Sequence, residues 1–293
     1  TALILLAAVL LKAQTNDFYD DAETIKLKTP GVEVLGEIAN PGRINLETLT
    51  LHSVIVKETL LQDGKDKFIG AYRYDGYSLY DILNSVILKK KNEAEFPPII
   101  DLYVEVENDK GEKVVFSWGE LYYPIHRHEI LIATQVARIV PSKTKDLWPL
   151  PTDSRLVVAS DLLTHRNISN PTRITVKSYS GKFEITKGMS PMNSKSFIIS
   201  DETKKLDEIN ALPANLVKLT YPAVFYGRGR GIHGTTPFTG VLLKEILAKY
   251  IPLNEKNLKT GMFIIAGKDG YHATYTYSEV MNRNDQSEFL IEP

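Results

Sequence analysis

Apolar and polar positions alternate with period two along several short stretches of this chain, and each such stretch predicts a half-buried strand. In "GVEVLGEIANPGRINLETL" (31–49), Val32, Val34 and, less regularly, Ile38 mark one strand. Asn40-Pro41-Gly42 is a turn signal, and Asn45 can cap a short helix with Glu47 in its first turn. "SVIVKETLL" (53–61) predicts a second strand. "YDGYSLYDILNSV" (74–86) predicts a turn into an amphipathic helix, because Leu79, Ile82, Leu83 and Val86 recur at helical spacing. "DLYVEVENDKGEKVVFSWGEL" (101–121) predicts a hairpin turning at Asn108 to Gly111, and "RLVVASD" and "TRITVKS" add two strands.

From Lys204 the same order returns. A short helix, a strand, a variable loop and a helix opening after Gly240 are expected, with Gly240 to Leu247 aligned on Gly76 to Leu83. "MFIIAGKDGYHATYTYSEV" (262–280) repeats the hairpin, and "VVFSWGEL" corresponds to "ATYTYSEV". The pattern predicts an internal duplication with a fold of α+β class, mostly β. On this reading residues 31–180 form the first unit, 181–203 a connector and 204–293 a second, incomplete unit. The first unit continues beyond its hairpin, so roughly 40 to 50 residues of the second would lie beyond Pro293.

Residues 1–14 carry an apolar run from Ala2 to Leu11, and a polar lead-in occupies 15–30. The run is shorter than the ~20 residues a bilayer span takes. It fits the apolar part of a secretory signal, with a basic segment upstream of Thr1 and cleavage near Ala13 or Gln14. Export to the periplasm or medium is expected, and no other segment is apolar enough to cross a membrane. The 293 residues, 43% hydrophobic, suffice for a large core. A net charge of −1 gives no bulk attraction to nucleic acid. With no cysteine, thiol catalysis, disulfides and thiolate-bound metals are excluded.

Candidate chemistry concentrates in a few places. "FYGRGRGIHGTT" (225–236) holds Arg228, Arg230 and His233 among glycines that disfavour both helix and strand. Amides around Gly229 and Gly231 can form an anion-binding nest, the arginines can add bidentate hydrogen bonds, and His233 a further donor. The same composition also suits a solvated connection. It is neither a Walker loop nor a dinucleotide fingerprint. His126 and His128 in "YPIHRHE" stand two apart, so on a strand they share a face, which suits nitrogen ligation of a metal; no third ligand is evident beside them. Arg73 sits where the second copy has its glycine–arginine loop. Tyr72, Tyr74, Tyr77 and Tyr80, and Tyr271, Tyr275 and Tyr277, are read as half-buried sheet residues or as a ligand or partner surface.

The order of these motifs resembles the molybdopterin-binding domain of the sulfite-oxidase-like oxidoreductases, above all the small exported proteins that carry it alone. "VLGEIANPGRINLETL", "YDGYSLYDIL", "FSWGEL" and "LPTDSRLVVASDLLTHRNISNPTRITVKS" carry the resemblance, over Gly31 to Ser178 and more weakly over Lys204 to Pro293. It implies a mixed fold, mostly sheet, a molybdopterin cofactor, and a basic residue near Arg166, with His165 beside it, contacting the pterin or its phosphate. It also implies a metal-ligating cysteine in the strand before the glycine-led helix. Neither "SVIVKETLLQDG" nor "NLVKLTYPAVFYG" contains one. The expectation is therefore a non-redox binder of a small anionic ligand through Arg228, Arg230 and His233. The alternatives are a molybdenum- or tungsten-pterin oxidoreductase with non-cysteine ligation, and a periplasmic module that recognises a protein or glycan partner.

Overall fold

The computed structural model describes residues 22–139, 147–186, 188, 194–201, 203–227 and 231–284, with the backbone alone at 224–227 and 231–234. In chain order the first elements are β1 (Ile25–Lys26), β2 (Val32–Gly36), β3 (Gly42–Ile44), β4 (His52–Gln62), β5 (Lys65–Ser78) and α1 (Leu79–Asn84). They are followed by β6 (Leu102–Asn108), β7 (Lys113–Ser117), α2 (Trp118–Tyr122), β8 (Ile130–Arg138), β9 (Arg155–Val158) and β10 (Pro171–Ser178). The C-terminal region adds β11 (Phe197–Ser200), β12 (Lys205–Ile209), β13 (Leu219–Gly227) and β14 (Gly231–Gly240). It ends with α3 (Leu243–Leu247), α4 (Glu255–Thr260), β15 (Met262–Ala266), β16 (His272–Thr276) and α5 (Tyr277–Met281). The architecture is mostly β, with several sheets and short helices, as the patterning implies.

Two five-stranded sheets form the main body. One runs β3-β2-β10-β6-β7; its β2–β10 pair is parallel and its other pairs antiparallel. In the other, β5 pairs along one side of β8, and β1 and β9 share the opposite side; β4 lies beyond β5. The core lies between them. Val32, Val34, Val104, Val106, Ile174 and Val176 from the first sheet meet Ile130, Ile132, Leu156 and Val158 from the second, with Leu79, Ile82 and Leu83 of α1 packed alongside. β6 shows strict alternation, every second residue buried, which is the signature of a strand with one face on a core.

The patterning errs in four places. "YDGYS" is no turn: β5 continues to Ser78 through an irregularity at Asp75/Gly76, and a Cβ on Gly76 would lie 2.3 Å from the Ile132 carbonyl oxygen. The glycine answers a close backbone approach, not a turn. β8, the central strand of its sheet, is absent from the sequence reading because "EILIATQVAR" is apolar on both faces and does not alternate. No helix stands between Lys204 and β13 among the described residues; β12 occupies that place, paired with β11, which falls within the stretch read as a connector. Finally, the glycine-rich stretch forms strands, since β13 and β14 pair from Leu219–Gly240 to Gly227–Gly231. Largely exposed where described, this hairpin needs no side-chain alternation.

The C-terminal region is tied to the body through a buried polar cluster. Ser117 caps α2 by accepting from the Glu120 amide, and Thr276 caps α5 by accepting from the Glu279 amide. Each cap hydroxyl also donates to the third helical residue of the other helix, Ser117 to Glu279 at 2.7 Å and Thr276 to Glu120 at 3.1 Å. Between them lies Arg166, 1% exposed. Its Nε and Nη2 donate to Asp161 at 2.8 and 2.6 Å, Nη1 and Nη2 to Glu120 at 3.0 and 2.6 Å, and Nη1 to the Val115 carbonyl at 3.1 Å. Burial works against the guanidinium charge, but Asp161 and Glu120 more than offset it and hold the group charged. Burial, reinforced by Glu120, pushes the Glu279 carboxyl up to about 7.

Two outcomes follow. Arg166→Ala leaves two buried carboxylates uncompensated and should destabilise the fold by about 3–5 kcal/mol, read from urea unfolding. Glu279 has a folded pKa above its unfolded one, so the folded state binds the extra proton between those values. Stability should therefore fall by about 1–3 kcal/mol as pH rises from roughly 4.5 through 7. Glu279→Gln should reduce that slope and leave the share of Asp161, whose carboxyl burial pushes up to about 6; an unchanged slope would assign it to Asp161 alone.

Candidate functional site

The end of β5 gathers three side chains able to ligate a metal from distant parts of the chain. His52 opens β4, and its Cα pairs across the hairpin with Gly76. Two residues on, Ser78 caps α1 by accepting from the Asp81 amide at 3.0 Å, which places Asp81 in the first helical turn. Ser78 also pairs with Leu131 of β8, so the turn just before β8 returns His128 to the same spot. The His52 Nε2 lies 2.8 Å from Asp81 Oδ2, and His128 Nδ1 lies 3.5 Å from that oxygen and 3.1 Å from Ser78 Oγ. The two imidazoles stack at 3.9 Å between centroids, 11° from parallel. Tyr80 meets His128 edge-on and accepts a hydrogen bond from Arg127 at 2.9 Å.

A groove of about 720 Å³ opens beside this cluster, lined by Ser53, Val54, Ile55, Lys57 and Thr59 of β4, by residues 125–129, and by Ala159, Leu162 and Asn284. Lys57, His126, Arg127 and His128 line it against one acid, Glu129. Ile55, Ile125 and Leu162, all exposed, add apolar surface. Burial, with His52 beside it and in spite of Asp81, lowers the His128 pKa. Neutral imidazole is the form that ligates metals and stacks without repulsion. The three ligand atoms of His52, Asp81 and His128 lie within 4.8 Å of one another.

The residues singled out from sequence scatter. His126 and His128 both line the groove, but they sit in a turn preceding β8 rather than on a strand, so the shared-face argument does not apply. His128 finds its partners in His52 and Asp81, neither of which was singled out. The signal for Asp81 was present as Ser78-x-x-Asp81, a helix-capping spacing. His52 had none, because its place depends on hairpin register. Arg166, expected at a ligand, has its guanidinium engaged by internal carboxylates instead. His165 accepts at Nε2 from the Leu61 amide, at 2.8 Å. Arg73 lies beside Asp75, at 3.3 Å. Arg228, Gly229 and Arg230 lie outside the described residues, as does the side chain of His233; Gly231 begins β14 opposite Gly227. Tyr72, Tyr74 and Tyr277 are core residues, Tyr77 and Tyr275 are half-buried, Tyr80 borders the cluster and Tyr271 is exposed.

No protein-family model and no curated protein matches this chain. Among the described residues, no helix is long and apolar enough to cross a membrane.

Proposed function

We propose that this chain is a non-redox binder of a small anionic ligand, phosphate-bearing or pterin-like, that acts after export. Its scaffold is read as a sulfite-oxidase-like molybdopterin-binding fold with a tandem duplication. The reciprocal capping of α2 and α5 supports the duplication, since the two hairpin–helix units meet through corresponding residues, Ser117 with Glu279 and Thr276 with Glu120.

The observation that carries the functional reading is the lining of the groove. Lys57, His126 and Arg127 stand exposed around an opening in which Glu129 is the one acid among the described residues, in a chain whose net charge is −1. A local excess of cations on a neutral protein focuses an anion there. Tyr80 fixes one guanidinium nitrogen of Arg127, which restricts that side chain before a ligand arrives. The apolar surface of Ile55, Ile125 and Leu162 gives a planar heteroaromatic body somewhere to lie. No group in the groove is assigned to turnover.

A pterin phosphate titrated into the full chain by calorimetry should bind, and the double variant Lys57→Ala/Arg127→Ala should bind it roughly tenfold or more weakly, as expected for lost charge-assisted hydrogen bonds. The variant Arg228→Ala/Arg230→Ala separates the groove from the glycine–arginine hairpin. Binding lost there and kept in the first variant would overturn the groove as the site.

A further inference from the structure

We propose that His52, Asp81 and His128 form a three-ligand site for a divalent transition-metal ion, with further coordination positions left to water or to a ligand in the groove. The site stands on its own geometry and does not depend on the anion reading; a bound ion would add positive charge to the same groove.

Spacing is the first argument. In a tetrahedral zinc site with bonds of about 2.0–2.1 Å, ligand atoms stand about 3.3 Å from one another. Asp81 Oδ2 stands 2.8 Å from His52 Nε2 and 3.5 Å from His128 Nδ1, on either side of that value. Two imidazoles and one carboxylate are a donor set that divalent zinc, iron and cobalt accept. Two of the ligands are held by the fold itself, Asp81 by the first turn of α1 and His52 by the β4–β5 register. Ser78 Oγ lies 3.1 Å from His128 Nδ1, the ligating atom, so it holds that nitrogen near Asp81 until an ion takes its place.

To ligate through Nε2, His52 takes the Nδ1–H tautomer: a neutral ring moves its proton from Nε2 to Nδ1, and an imidazolium releases its extra proton to solvent. The imidazole nitrogen and the carboxylate oxygen then donate lone pairs to the ion. The stacked rings must tilt, because a lone pair lies in the plane of its ring and two parallel planes do not meet at one ion. The side chain of His128 is 42% exposed and that of His52 is 21%, so His128 is the freer of the two to make that rotation.

Equilibrium dialysis of the chelator-stripped full chain against Zn²⁺, with elemental analysis, tests the site. One zinc per chain is expected, with at least a tenfold loss of affinity in His52→Ala, His128→Ala and Asp81→Asn. His126→Ala and His233→Ala, which alter the other candidate imidazoles, should retain binding. Cobalt substituted for zinc should give the intense visible absorption of four-coordinate nitrogen and oxygen ligation. His128 is the most exposed of the three ligands, and circular dichroism establishes that its variant is folded. Absence of stoichiometric zinc in the wild type, or retention in a folded His128→Ala protein, overturns the proposal. Titrating the pterin phosphate with and without zinc separates the two readings. Zinc bound without the phosphate ligand sinks the anion reading alone, and the phosphate ligand bound in a protein that takes no zinc sinks this one.

Discussion

A guanidinium removed from water has to be met by carboxylates, and the carboxylates that meet Arg166 arrive from separate parts of the fold. Asp161 comes from the loop after β9, Glu120 from α2, and Thr276 from the C-terminal hairpin reaches Glu120 in turn. None of these groups can leave without exposing or orphaning another, because each buried charge is tolerated only while its partners remain. The relation of the C-terminal hairpin–helix to the body is thereby specified by directional bonds. Apolar packing of Leu163 with Leu258 and Tyr277 adds area to the contact without fixing its register in the same way.

Which elements were legible follows from where their faces point. β2, β6 and β16 each bury one face, so their alternation reads directly from the sequence. β8 is buried on both faces, Ile130 and Ile132 toward the core between the sheets and Ala133 and Val136 toward a second cluster with Tyr72, Tyr74 and Val157, and so loses its period. Gly76 could be seen as special, but not why, since the atom that demands it is the carbonyl of Ile132, far along the chain. The described glycines of the 225–236 stretch, Gly227, Gly231 and Gly234, misled for the opposite reason. They lower strand propensity, yet two strands that pair with each other in an exposed hairpin can carry them.

The cluster of His52, Asp81 and His128 was half legible on the same grounds. His128 drew notice beside His126, in a local pattern; His52 and Asp81 belong to a pattern that exists only after pairing. His52 opposite Gly76, and Ser78 opposite Leu131, are two register facts that bring β4, α1 and the turn before β8 to one point. A shift of one residue in either pairing would turn the affected side chains to the other face. The site is thus a consequence of the Gly76 approach, since that close contact lets β5 lie against β8 where α1 begins.

The sulfite-oxidase-like resemblance implies a thiolate on a metal, and this chain has none to offer. Its described convergent donors are nitrogen and oxygen, which favour borderline and hard divalent ions over a thiolate-anchored molybdenum centre. Charge is arranged to match. The groups at the centre are two imidazoles sharing one carboxylate, while the fixed cations Lys57 and Arg127 stand at the groove beside them. If both proposed sites are occupied, an anion at Lys57 and Arg127 lies next to the proposed ion, and the two binding events would reinforce each other rather than compete. By linkage, whatever one gains in affinity from the other is returned equally.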